Sequence, residues 1–162
     1  MVNLYQQEGL DYFELISLAL RNEYNLSTIK AGKFEIPAKA FNPLRNQYDA
    51  SRIIESLIPK FDNKSDLNLL ITDVDLYVPR FNFIFGLAEI QERAAIVSRY
   101  RLNGSNMKER LVKEVIHEVG HLLGLPHCPV PACVMYFSNT IDDTDKKSSH
   151  LCQECRRRFE EL

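Results

Sequence analysis

Residues 117–136 read HEVGHLLGLPHCPVPACVMY, which puts three histidines, a glutamate, two cysteines and a methionine into twenty positions, and a CQEC pair follows at 152–155. These spacings constrain the backbone more than anything else in the chain. Upstream, LNGSNMKERLVKEVIHEVGHLLG has the pattern of an amphipathic helix. Asn106 is placed to cap it, Glu109 stands at the reciprocal capping position, and Gly124 offers a left-handed exit. On that helix His117 and His121 lie about 40° apart around the axis and can converge on one ion. A turn at Gly124 lets His127 supply a third nitrogen, which leaves a fourth tetrahedral position open to water. Glu118 is rotated by about 100° from His117, so it is poorly placed as a ligand and well placed as a general base beside that open position. Zinc in such a site acidifies water and polarises a carbonyl, so the chemistry implied is hydrolysis of a peptide-like bond. Any one of these histidines alone would more often pack or point to solvent. Three of the four in the chain at this spacing outweigh that reading.

All four cysteines, Cys128, Cys133, Cys152 and Cys155, fall in the last quarter of the chain. In a reducing compartment such a cluster holds metal; in a secreted or hyperthermophilic protein two disulfides are the alternative. Four thiolates close a tetrahedron and leave no room for substrate, so their expected role is a structural zinc. His127 and Cys128 are neighbours, and in an extended segment their side chains point to opposite faces. Two separate mononuclear zinc sites are therefore expected, with Pro126, Pro129 and Pro131 restricting the chain between them. The second ion would staple a C-terminal helix, LCQECRRRFEEL, to the loop carrying Met135. His150 is read as a surface residue, and Tyr136 either reaches the site or simply packs.

A chain of 162 residues with 45% apolar and 26% charged residues suits one soluble domain spanning 1–162. The formal charge of −2 gives no reason to expect a nucleic-acid partner. The opening MVNLYQQEGLDYF lacks the features of a signal peptide and no run is long enough to span a bilayer, so a cytoplasmic protein with no membrane partner is expected, read as a monomer. Helical patterns at LDYFELISLALRNEYN and, after Pro43, at Ile53, Ile54, Leu57 and Ile58 are interspersed with strand candidates. These are KFEI, LNLLITDVDLYV, FNFIFGLAEI and RAAIVSRYRL. The alternation points to a mixed α/β or α+β sheet.

At His117, Glu118, His121, Gly124, His127, Cys128, Cys133, Met135, Cys152 and Cys155 the sequence resembles the archaemetzincins, in which an HExxHxxGxxH zinc motif runs directly into a four-cysteine motif. FNPLRNQYDAS and TDVDLYVPRFNFIFG also resemble family segments, so the likeness spans roughly residues 40 to 156 and is loose before about residue 30. Sixteen residues separate Met135 from Cys152, about one fewer than in the family pattern, a change a surface loop absorbs. The resemblance implies a small α+β metzincin-like domain: a twisted mixed sheet with one antiparallel edge strand, an active-site helix behind it, and Met135 in a turn beneath the catalytic zinc. It also implies a zinc-dependent peptidase; the functional hypothesis drawn from the site is a metallopeptidase that cuts short or unfolded peptides held as an extra strand along NFIFGLAEI. The competing reading is a non-catalytic, zinc-stabilised binding module. Glu118 speaks for the enzyme, because a module that only holds zinc has no need of a base there. No cysteine precedes the zinc motif, so no upstream inhibitory thiolate is expected.

Overall fold

The computed structural model describes residues 1–61 and 66–162. In chain order its elements are β1 (Val2–Gln7), α1 (Phe13–Tyr24), β2 (Thr28–Phe34), β3 (Phe41–Asn42), β4 (Gln47–Asp49), α2 (Ala50–Leu57), β5 (Leu67–Thr72), β6 (Leu76–Tyr77), β7 (Gly86–Glu89), β8 (Ala94–Ser98), α3 (Met107–Leu122), α4 (Ile141–Lys146) and α5 (Gln153–Glu160). Five strands form one mixed sheet in the order β2-β1-β5-β8-β7. Its first four strands are parallel and β7 runs antiparallel at the edge. The expected mixed sheet with an antiparallel edge strand is therefore present.

Side-chain parity explains the layering. Val2, Leu4, Leu69, Ile71, Ala95 and Val97 face one side and pack with Ile16 and Leu20 of α1 and Leu111, Val115 and Val119 of α3. Tyr5, Leu70 and Ile96 face the other side and pack with Ile53, Ile54 and Leu57 of α2. Each fully buried leucine or isoleucine contributes about 1.5–3 kcal/mol, so the sheet is anchored from both faces. This arrangement fixes α3 behind β7 and β8.

Three sequence expectations are corrected. LNLLITDVDLYV is two strands in two sheets, because the Thr72 hydroxyl and the Asp73 N–H both donate to the Gln7 Oε1 and end the ladder. The second piece, β6, joins β3 and β4 in a small three-stranded sheet. β2 begins at Thr28, ahead of the KFEI candidate, and β1 precedes everything the periodicity marks. β1 escapes a hydropathy reading because Asn3 and Gln6 are buried in it; Asn3 pairs with Asn68 on β5 at 3.3 Å. Finally, the Asn106 side chain makes no cap hydrogen bond and Glu109 pairs forward with Lys113 at 3.0 Å. The capping box belongs instead to α4, where Thr140 and Asp143 bond reciprocally.

Candidate active site and metal centres

The exit from α3 is a Schellman turn: Gly124 takes φ +95°, its N–H donates to the His121 carbonyl, and the Leu125 N–H donates to the Gly120 carbonyl at 2.9 Å. This turn does more than end the helix. It brings the Leu125 carbonyl to 2.8 Å from the Nδ1 of His121, while the Val134 carbonyl stands 2.8 Å from the Nδ1 of His117. A carbonyl only accepts, so each Nδ1 carries the proton and each Nε2 presents a lone pair. The two Nε2 atoms face each other at 3.1 Å. Neither can donate to the other, and the repulsion is relieved by a shared cation. The His127 ring packs 4.6 Å from that of His121 and 5.3 Å from that of His117, measured between centroids, and donor nitrogens of all three lie within 4.8 Å of one another. Burial holds the His117 imidazole well below its ordinary pKa, helped by the nearby Lys147 charge and His121. Burial lowers His121 and His127 as well. All three are thus kept in the neutral form that binds metal, and the donor set fits zinc.

Glu118 is buried next to His117, and burial, reinforced by the charge of Glu114 and opposed by Lys147, pushes its carboxyl up to about 8. It lines a cavity of about 460 Å³ together with all three histidines. Its place depends on Gly86 in β7, because a Cβ there would stand 2.7 Å from Glu118 Cγ and Oε1 and 2.9 Å from the Ile96 carbonyl. Gly120 serves a matching purpose on the other side of the helix. A Cβ at that position would lie 2.5 Å from the Met135 sulfur and 2.7 Å from the Tyr24 hydroxyl. Met135 is fully buried in the turn closed by the Tyr136 N–H and the Cys133 carbonyl, packed against the helix that carries His117 and His121. Tyr136 is not among the described residues lining the cavity; Phe137, Ser138 and Asn139 are.

The four cysteines form a second group whose sulfurs also lie within 4.8 Å of one another, with Cys128 and Cys152 sulfurs 3.8 Å apart and no disulfide among them. His127 belongs to one group and Cys128 to the other, as expected of neighbours on an extended segment. Backbone N–H groups point at the sulfurs, as with Cys152 N–H to Cys133 Sγ at 3.3 Å. Burial pushes the Cys133 and Cys155 thiols up. At Cys152 burial is outweighed by the Cys155 N–H and neighbouring thiols, which bring it to about 7. His150 stands outside this group with its side chain 70% exposed, donating to Glu23.

Two buried acids have no sequence signature. Glu23 at the end of α1 accepts from the Leu151 N–H at 2.9 Å and from Arg156 of α5, tying α1 to the CQEC segment. Glu114 pairs with the fully buried Lys147 at 3.0 Å and accepts from the hydroxyls of Thr144 and Ser138, tying α3 to the segment after Met135. Their partners lie far away in the chain, so no local pattern announces them.

The family profile described as peptidase family M54 matches residues 11–161. The chain belongs to that family. Curated relatives named archaemetzincin include one from Pyrococcus horikoshii, 47% identical over 75% of this chain and 70% of its own length. Another, from Pyrobaculum aerophilum, is 46% identical over 69% of this chain and 70% of its own. Among solved structures, a zinc-dependent peptidase from Methanocorpusculum labreanum superposes with a TM-score of 0.86 at 32% identity, covering 98% of this chain and 100% of that one. The archaemetzincin from Archaeoglobus fulgidus, solved with malonate, superposes at 0.82 with 31% identity over 98% and 99% of the two chains. The M54 chain described here is accordingly a zinc metallopeptidase with a mixed α/β fold.

Proposed function

We propose that His117, His121 and His127 hold a catalytic zinc, that Cys128, Cys133, Cys152 and Cys155 hold a structural one, and that Glu118 is the general base of a peptidase of metzincin type. The observation that carries this reading is the pair of Nε2 lone pairs at 3.1 Å, fixed by backbone carbonyls and bordered by a buried carboxylate in one cavity. When bound, zinc lowers the pKa of a water and polarises the scissile carbonyl. The rest falls to the protein. Glu118 accepts a proton from the attacking water and returns it to the leaving amine. A divalent charge beside it favours its ionised form against the upward push of burial. β7, an edge strand beside the cavity, offers free backbone groups along which an extended peptide can pair as a further strand. Val78, Phe83, Phe85 and Leu87 give the cavity an apolar wall for one of its side chains. Residues 1–162 act as a single catalytic domain, and the four free thiols suit a reducing, cytoplasmic setting.

The test is a proteome-derived peptide library digested by wild type and by Glu118→Gln and read by mass spectrometry, with zinc content measured in parallel. General acid–base groups contribute about 10²–10⁴ in rate, so the variant should lose that much turnover and keep its metal. Equal cleavage by both proteins removes Glu118 as the base. Cleavage by neither puts the binding-module reading ahead.

A further inference from the structure

Two segments that resemble the family lie outside both metal groups. They are FNPLRNQYDAS, around β3 and β4, and VPRFNFIF, which leads into β7. Residues 78–85 form one wall of the cavity, with Val78, Phe81, Phe83 and Phe85 among its lining, yet they contain no helix and no strand beyond an isolated bridge at Ile84. Among the described residues, backbone bonds to neighbouring strands hold only the end of the segment, where the Ile84 N–H donates to the Leu76 carbonyl and the Phe85 carbonyl accepts from the Ser98 N–H, so residues 78–83 need other support. The carbonyls of Phe81 and Asn82 accept from one guanidinium nitrogen of Arg45, at 2.5 and 3.2 Å, and the Asn82 carbonyl also accepts from Gln47 Nε2 at 2.8 Å. Arg45 Nε donates to Gln47 Oε1 at 2.9 Å, and its guanidinium lies 4.0 Å from the Tyr77 ring centre. Gln47 in turn donates to Asp75 at 3.3 Å; Asp75 takes a bidentate pair from Arg101 at 2.7 and 2.8 Å; and Arg101 lies over the Phe83 ring at 4.3 Å. The chain of contacts starts and ends on the same wall.

The turn that presents Arg45 is itself built for that purpose. Asn42 accepts from the Leu44 and Arg45 N–H groups and donates to the Tyr77 hydroxyl at 3.0 Å, while Leu44 at the tip is 97% exposed and packs on nothing. The base of the hairpin is anchored by buried Gln47 and by Tyr48, which packs on the second core and meets Phe41 at 5.0 Å, and its exposed tip carries Arg45 to the wall. Across the cleft, Phe81 meets Phe137 edge-to-face at 5.9 Å and Phe137 packs against His127 at 5.0 Å, so the position of the wall sets the width beside the histidines.

We infer that Arg45, with Gln47 and Asp75, is a positioning clasp that fixes the aromatic wall of the cleft and so determines which substrate side chain the cleft accepts. This rests on the histidine cavity being the substrate site. The guanidinium's planar fork and its stacking on Tyr77 are both needed, and a lysine supplies neither.

The experiment compares wild type, Arg45→Ala and Arg45→Lys, zinc-loaded, by two measurements. Hydrogen exchange should accelerate at least tenfold over residues 78–85 in Arg45→Ala with α3 and β5 unchanged, and Arg45→Lys should fall between. Binding of a hydroxamate bearing a benzyl arm should weaken at least tenfold in Arg45→Ala, while acetohydroxamate, which engages the metal alone, binds as before. Unchanged exchange over 78–85 overturns the clasp. Equal weakening of both hydroxamates overturns the specificity role, because the damage then lies at the metal. Failure of the underlying reading looks different: a wild type that binds neither hydroxamate removes the histidine metal centre, and the exchange measurement still decides whether Arg45 holds the wall.

Discussion

The histidine and thiol groups stand one peptide bond apart, at His127 and Cys128, and the protein orients them by opposite means. Backbone carbonyls grip the far nitrogens of His117 and His121 and leave the near ones facing a cavity of about 460 Å³. Around the cysteines backbone N–H groups face the sulfurs, and three of the four are buried. Carbonyls select a tautomer and expose a lone pair; amides stabilise negative charge and close around it. On the reading proposed above, the same polypeptide builds an open centre for chemistry and a closed one for cohesion.

Four measurements can break or sharpen this contrast. The largest effect is expected at the closed centre. Structural zinc contributes on the order of 10–16 kcal/mol in small zinc-binding peptides, so Cys152→Ser should lower the unfolding midpoint of the whole chain by many degrees and cost one zinc. A variant melting like wild type with full metal content would show that the thiols are not a staple. Next is Lys147→Ala, which leaves Glu114 buried without its cation. Breaking such a pair costs about 3–5 kcal/mol, and calorimetry should find that loss with the thiol-bound zinc retained. If Lys147→Ala melts within a degree of wild type, the segment after Met135 is held by other means. Gly86→Ala comes third: the added methyl must displace Glu118 or β7, at about 1–3 kcal/mol of stability, and turnover should fall while zinc stoichiometry does not. Wild-type turnover in this variant would mean that Glu118 tolerates a shift of its backbone neighbour. The smallest effect is one of rate. On the proposed two-zinc reading, a chelator should remove the ions in separate phases, the histidine-bound one about tenfold faster or more, followed by a chromogenic indicator; a single phase would erase the distinction between open and closed.

What the sequence reveals and what it hides divide along the range of the interactions. The gathering of the three histidines is legible because its geometry is local: four residues make a helical turn between His117 and His121, and Gly124 turns the chain three residues before His127. The helices α1, α2 and α3 are legible from periodicity for the same reason, and α5 is expected at the CQEC segment without a periodic signal. β1 is hidden because its buried asparagine and glutamine are met from outside the strand, Asn3 by Asn68 on β5 and the Gln6 Oε1 by the Tyr12 N–H that leads into α1, a compensation that no hydropathy window sees. The small second sheet is hidden because two- and three-residue strands carry no period. Glu23, Glu114 and Lys147 read as ordinary surface charges until the fold brings their partners to them.

Gly120 changes what the written motif means. In HExxH the third and fourth letters are wildcards, a notation that grants them twenty choices each. Here the fourth position faces a methionine sulfur and a tyrosine hydroxyl with no space for even a methyl group, so its alphabet has shrunk to a single letter. A designer who transplanted only the liganding letters onto another helix would bring the zinc donors and leave behind the contact that seats them. The unit that can be moved is larger than the pattern: it includes the glycine, the turn bearing Met135, and the tyrosine from the first helix.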